Sequence, residues 1–142
     1  MIRLYATFSV AGTLFGVDAT DVQEILLPQR LTRVPLASPD VNGLANLRGQ
    51  VVVTIDLRTM LGLPPLEDGI PTVNIVLRTE HGPVSIVVDE VGDVLEVHDD
   101  DLDTPPPTLS LPTRDLVTAV HKLDDQLLLV LDVKRTAQPV AA

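Results

Sequence analysis

Three stretches of this chain share one shape: a turn, a run of β-branched or leucine side chains, then aspartate. They are GQVVVTIDLR from Gly49, GPVSIVVDEV from Gly82 and DQLLLVLDVK from Asp125. β-branched side chains favour a pleated, half-buried surface, so each run is read as a short strand. The repetition fits two lobes built alike, or simply the habit of strands to end at a polar residue. Aromatic residues make up only 2% of the chain while hydrophobic residues make up 45%. A sizeable core is therefore possible, and it must be built from valine, leucine and isoleucine. The 142 residues suit one compact unit or two small, closely packed lobes.

The rest of the chain repeats the theme. Leu4, Ala6, Phe8 and Val10 alternate with polar neighbours, which predicts a strand over 3–10. Ala11-Gly12 turns the chain into a second strand, Thr13–Val17. From Asp18 to Leu27 the period changes. Thr20 and Asp21 can cap a helix, Val22, Ile25 and Leu26 share a helical face, and Pro28 ends it. Ser38-Pro39 suggests another short helical turn. Gly43–Leu47 and Val51–Ile55 form a hairpin around Arg48-Gly49-Gln50, and Leu57–Leu61 forms a helical turn closed by Gly62. Strands follow at Thr72–Arg78, Val84–Val88 and Val91–Val97, and a hairpin joins Leu116–Lys122 to Leu127–Leu131. His98–Thr113 reads as a long polar loop. The fold class is all-β, with short strands at barrel-like spacing.

Charge divides the chain. Residues 1–66 hold five acids and five bases, whereas 67–142 hold fifteen acids and five bases, so the net −10 lies entirely in the second part. The change coincides with the proline- and glycine-rich segment Leu63–Pro71, which predicts a linker between lobes over about 13–66 and 67–133. The N-terminal strand and the C-terminal segment are candidates for exchange between those lobes. An acidic surface with few aromatics offers neither a basic face nor a stacking platform to nucleic acid. No apolar run is long enough to span a bilayer, the N-terminus lacks the pattern of a signal peptide, and there is no cysteine. A cytoplasmic location is expected.

The case for catalysis is weak. Asp56 and Asp89 each follow an apolar strand and could form a shared-proton dyad. That chemistry needs a tight glycine-containing turn, and neither aspartate is followed by one; strand-end capping or an ion pair explains them better. His81, His98 and His121 are not paired at metal-ligand spacing, and the run from His98 to Asp103 lacks the glycine and the late glutamate of a calcium loop. The eight glycines are dispersed, with no phosphate-cradling loop. No enzyme activity, metal or cofactor is expected.

What remains distinctive is an ordered set of motifs: Val22-Gln23-Glu24-Ile25, Arg33-Val34-Pro35, Val41-Asn42-Gly43-Leu44, Asn46-Leu47-Arg48-Gly49, Thr54-Ile55-Asp56-Leu57-Arg58 and Val87-Val88-Asp89-Glu90-Val91. From Tyr5 to about Val133 this array resembles the CheW family, the coupling proteins of bacterial chemosensory systems. The resemblance implies two SH3-like five-stranded barrels on a shared apolar core, with a few short helices and no catalytic activity. It implies two partners: the cytoplasmic hairpin tip of a chemoreceptor, held in an apolar groove between the barrels, and the regulatory domain of a CheA-type histidine kinase, met at the barrel ends. Val22, Gly43, Asn46, Arg48 and Val91 match positions at or near the receptor groove. Glu24 and Arg48 match a family ion pair. Val53 stands where the family commonly has proline. The same resemblance admits an adaptor in another kinase pathway, such as pilus motility or development; a small aspartate-dependent hydrolase is the distant alternative.

Overall fold

The computed structural model describes residues 1–35, 37 and 39–137. Its strands are β1 (Ile2–Val10), β2 (Thr13–Asp18), β3 (Val22–Leu26), β4 (Val41–Leu47), β5 (Gln50–Asp56), β6 (Val73–Leu77), β7 (Val84–Val88), β8 (Glu90–His98), β9 (Leu102–Asp103), β10 (Val117–Lys122) and β11 (Leu127–Leu131). Three short helices accompany them: α1 (Leu57–Met60), α2 (Leu111–Leu116) and α3 (Val133–Thr136). Short 3₁₀ turns occupy Ala19–Asp21 and Asp99–Asp101. The expected all-β class, two SH3-like barrels on one core, is the fold observed. One lobe carries a six-stranded sheet, β8-β1-β2-β11-β10-β9, and the other a five-stranded sheet, β3-β6-β7-β5-β4.

The sheets divide the chain differently from the expected 13–66 and 67–133. The five-stranded sheet is built from Val22–Val88, and the N-terminal hairpin β1–β2 completes the sheet that holds β8 to β11. The physical reason lies in the 63–71 segment. β7 lies between β5 and β6. The end of β5 (Asp56, opposite Val87) and the start of β6 (Val73, opposite Val88) lie at the same end of the sheet, so the chain must pass over that end of β7's place before β6 and β7 can form. The proline-rich segment is part of that crossover within one lobe.

Both sheets share one pairing scheme, entered by the chain at different points. In each, an antiparallel hairpin (β1–β2 or β6–β7) is flanked on one side by a strand antiparallel to its first member, β8 or β3. On the other side lies a strand parallel to its second member, β11 or β5, which itself pairs with the strand preceding it, β10 or β4. The sequence echo is thereby resolved. GQVVVTIDLR and DQLLLVLDVK are equivalent strands running into equivalent helices, and Asp56 and Asp132 cap α1 and α3. The third run, at β7, corresponds instead to β2.

Two expectations about helices change. The Asp18–Leu27 segment is not a helix. Asp18 caps only the three-residue turn, accepting from the Thr20 backbone N–H at 3.0 Å, and Val22–Leu26 pairs with β6 as a strand. Cross-strand partners satisfy its backbone, and the apparent helical face is broken because Ile25 is exposed. Conversely, the expected loop from His98 to Thr113 contains β9 and runs into α2, which starts at Leu111 with proline in its first turn. Ser38 of the proposed Ser38-Pro39 cap lies outside the described residues.

The main core takes side chains from both lobes. Phe8, Val10, Phe15, Val17, Leu129 and Leu131 of the larger sheet pack with Ile55, Ile75, Leu77, Ile86 and Val88 of the smaller. The two phenylalanines stack with ring centroids 6.0 Å apart. A second apolar cluster, Tyr5, Val97, Leu128 and Val130, fills the larger lobe. The smaller lobe has polar side chains at the corresponding interior positions: Thr54, Asn74 and Ser85 are all buried.

Candidate functional site

The five-stranded sheet has β3 and β4 as its two edges, yet Glu24 on β3 and Arg48 at the β4–β5 turn are in contact. Arg48 Nη1 donates to Glu24 Oε2 at 2.6 Å and Nη2 to Oε1 at 2.7 Å. The sheet has therefore rolled up, and this fork-to-fork pair spans its seam. Beyond β3, Thr32 and Leu44 exchange backbone hydrogen bonds at 2.8 Å and close the same seam lower down. The expected ion pair is present, but Glu24 stands on a strand rather than on a helix. Its side chain is largely covered, 18% exposed, whereas Arg48 is 74% exposed. The Arg48 guanidinium holds the Glu24 carboxyl below its ordinary range.

The turn that carries Arg48 is unusual for an arginine. Arg48 (φ 52°) and Gly49 (φ 84°) both lie in the left-handed region, as a two-residue hairpin turn requires. Asn46 Oδ1 accepts from the Gly49 N–H at 2.9 Å and holds the turn from below. Glycine or asparagine would suit the position of Arg48 better, so the charge there is retained against backbone preference.

Gly43 also has a local reason. It is buried with φ 153°, and a Cβ at this position would lie 2.9 Å from the Thr32 carbonyl oxygen and 3.0 Å from Leu31 Cβ. The backbone that approaches it closely is the chain's own. Val22 and Val91 occupy equivalent places in the two lobes: Val22 pairs with Leu77 and Val91 with Phe8, each beside a register shift. Val22 is partly buried against the core, while Val91 is 36% exposed.

Between the lobes lies a cleft of about 560 Å³. Its apolar surface comes from Val51 and Val53 on β5, Val84 on β7, and Val133 and Ala137 at α3. Arg78, Glu80, His81, Lys134 and Asp21 line it as well. Val51 is 64% exposed, directly after the Arg48-Gly49-Gln50 turn. None of Val22, Gly43, Asn46, Arg48 and Val91 lines the cleft. It nevertheless abuts two of them in sequence, through Asp21 next to Val22 and Gln50 two residues after Arg48. Val51 shares the face of β5 that carries Val53 and the core residue Ile55, and no pattern in the sequence marks the valine at the end of that face as a contact.

The two aspartates weighed as a dyad have separate structural duties. Asp56 Oδ1 caps α1 through the Arg58 N–H at 3.0 Å. Asp89 takes a two-point bond from Arg58, at 3.0 and 2.6 Å, and accepts from the Ala11 N–H at 2.8 Å. Arg58 holds the Asp89 carboxyl below the usual carboxylate range, against the opposing effect of burial. A shared-proton pair would need the opposite shift in one member. Among the described residues no three His, Cys, Asp or Glu side chains are grouped so as to hold a metal ion. No described helix is long and apolar enough to cross a membrane.

The frame is a double β-lobe with a latched seam and an apolar inter-lobe cleft, its two strand-end aspartates committed to a helix cap and an ion pair. The chain matches the profile of the CheW-like domain over residues 4–140 and belongs to that family. It is 34% identical over 125 residues to the chemotaxis protein CheW of Bacillus subtilis (strain 168), covering 88% of this chain and 80% of that one. It is 29% identical over 131 residues to chemotaxis protein CheW of Klebsiella aerogenes, covering 92% and 79%. The crystal structure of the scaffolding protein TtCheW from Thermoanaerobacter tengcongensis superposes with a TM-score of 0.82 at 25% identity, covering 93% of this chain and 90% of that one.

Proposed function

We propose that this protein is a non-catalytic adaptor that joins a chemoreceptor's cytoplasmic hairpin tip to the regulatory domain of a CheA-type histidine kinase. The proteins it is similar to are named for chemotaxis and scaffolding, and its fold and motif array are theirs. The observation that carries the reading is the inter-lobe cleft: valines from both lobes form an apolar surface that starts at Gln50 and Val51, directly after the turn that carries Arg48. A helix docks in such a groove through an apolar stripe. The kinase domain is met at the barrel ends, away from the cleft. The protein acts in the cytoplasm, inserts in no membrane and needs no cofactor.

The test is binding of Val51→Asp to a receptor hairpin and, separately, to the kinase regulatory domain. A charge on the apolar surface should lower receptor affinity at least about tenfold, since it leaves an unpaired charge at the contact, while kinase binding is retained. Receptor binding equal to the parent would overturn the cleft assignment.

A further inference from the structure

Arg78 stands at the end of β6 on the rim of the inter-lobe cleft. Its Nη1 donates to two backbone carbonyls, Thr20 at 2.9 Å and Val22 at 3.1 Å. Its backbone N–H donates to the Asp21 carbonyl at 2.8 Å, so both ends of the residue are tied to the link between the lobes. No carboxylate among the described residues forms an ion pair with it. Arg3, Arg48, Arg58 and Arg135 meet aspartate or glutamate; Arg30, Arg33 and Arg114 share with Arg78 the lack of an ion pair among the described residues, but of these four only Arg78 lines the cleft. Asp21 lies near enough to feel the charge of Arg78, yet its carboxyl is raised, first by burial and then by Asp18. The neutral carbonyls fix the guanidinium without neutralising it, and Nη2 and Nε make no bond to a described residue.

We infer that Arg78 is the charged specificity element of this cleft, and that the helix seated there carries an aspartate or glutamate beside its apolar stripe. The inference rests on the adaptor reading above and adds the chemistry of the partner. An arginine held in place loses little freedom on binding, and its planar fork recognises a carboxylate with direction as well as charge. The valine surface supplies contact area and Arg78 fixes the register of the helix along it. Of the other charged side chains lining the cleft, Lys134 and Glu80 lie 3.7 Å apart, Asp132 meets Arg135 at 3.6 Å, and Asp21 feels the charge of Arg78 without a hydrogen bond from its guanidinium. Arg78 is thus the arginine lining the cleft that forms no ion pair with a described residue.

The experiment measures affinity of the receptor hairpin for the parent, Arg78→Gln, Arg78→Lys, Arg78→Glu and Val51→Asp as a function of salt, with thermal melts and kinase-domain binding as controls. Arg78→Gln should weaken receptor binding roughly tenfold, the scale of one charge-assisted hydrogen bond, and flatten its salt dependence. Arg78→Lys should recover part of the loss, and Arg78→Glu should bind worst. A hairpin whose acidic residue beside the stripe is changed to lysine should regain affinity for Arg78→Glu. If Val51→Asp abolishes binding while Arg78→Gln binds like the parent, the role of Arg78 is wrong and the cleft stands. If Val51→Asp also binds like the parent, the cleft itself is wrong. Should Arg78→Gln lose its fold, salt-independent receptor binding by the parent would still overturn the inference.

Discussion

Gly43 is the residue at which the backbone decides most. Its φ of 153° and the 2.9 Å approach to the Thr32 carbonyl leave no room for a side chain. Gly43→Ala should cost about 2–3 kcal/mol, from strain and overpacking together, read as a lower urea midpoint with an unchanged slope. A loss of receptor binding in any Gly43 variant must be judged against that loss of fold. The Glu24–Arg48 pair makes a different prediction. In a double-mutant cycle with Glu24→Gln and Arg48→Met, the two changes together should destabilise less than their sum, because the second removes a partner already lost. Additive effects would show that the seam is held without the pair. The sequence made both positions visible through the resemblance, together with the ion pair itself. It could not show that Gly43 is pressed by Thr32, because that contact exists only once the barrel has closed.

Elements show where sequence patterns mislead. Val22–Leu26 has a helical spacing of apolar residues, but pairing with β6 outweighs that local preference, and β-branched Val22 and Ile25 suit the strand. The proline-rich segment suggested a lobe boundary and serves a crossover instead, since only the parallel pairing of β5 with β7 reveals its path. The strands themselves were legible, since period-two alternation and turn residues depend on few long-range contacts. Interior polarity was not legible: Thr54 looks like any β-branched strand residue. In the fold its hydroxyl is buried without a hydrogen-bond partner among the described residues, where the equivalent position of the other lobe, on β11, is Val130. Thr54→Val should therefore stabilise the protein by about 1–2 kcal/mol; an unchanged or lower denaturation midpoint would mean the hydroxyl is satisfied. Arg58–Asp89 ties α1, the start of β8 and the β1–β2 turn. Because Asp89 is held below its ordinary range, its contribution is complete above the unfolded carboxylate value of about 3.9 and is lost as pH falls through the lower folded value. Melting temperatures of the parent should thus drop below about pH 4, and Asp89→Asn should show a smaller share of that drop and start lower at neutral pH.

At the scale of the whole molecule, two lobes with the same strand pairing carry unlike surfaces. The β4–β5 turn presents Arg48 and is latched to Glu24, whereas the equivalent β10–β11 turn presents Asp124 and Asp125. Duplicated architecture with divergent charge suits the proposed adaptor, which would hold two different partners at once. The shared core makes the lobes one mechanical body, so partners bound on separate faces are held in fixed relation. The most direct test sediments receptor hairpins displayed on vesicles together with the soluble kinase regulatory domain, with and without this protein. The account predicts that the kinase domain is carried down only when the protein is present, and that Val51→Asp abolishes the transfer while still binding the kinase domain in solution. Equal sedimentation of the kinase domain with and without the protein would contradict it.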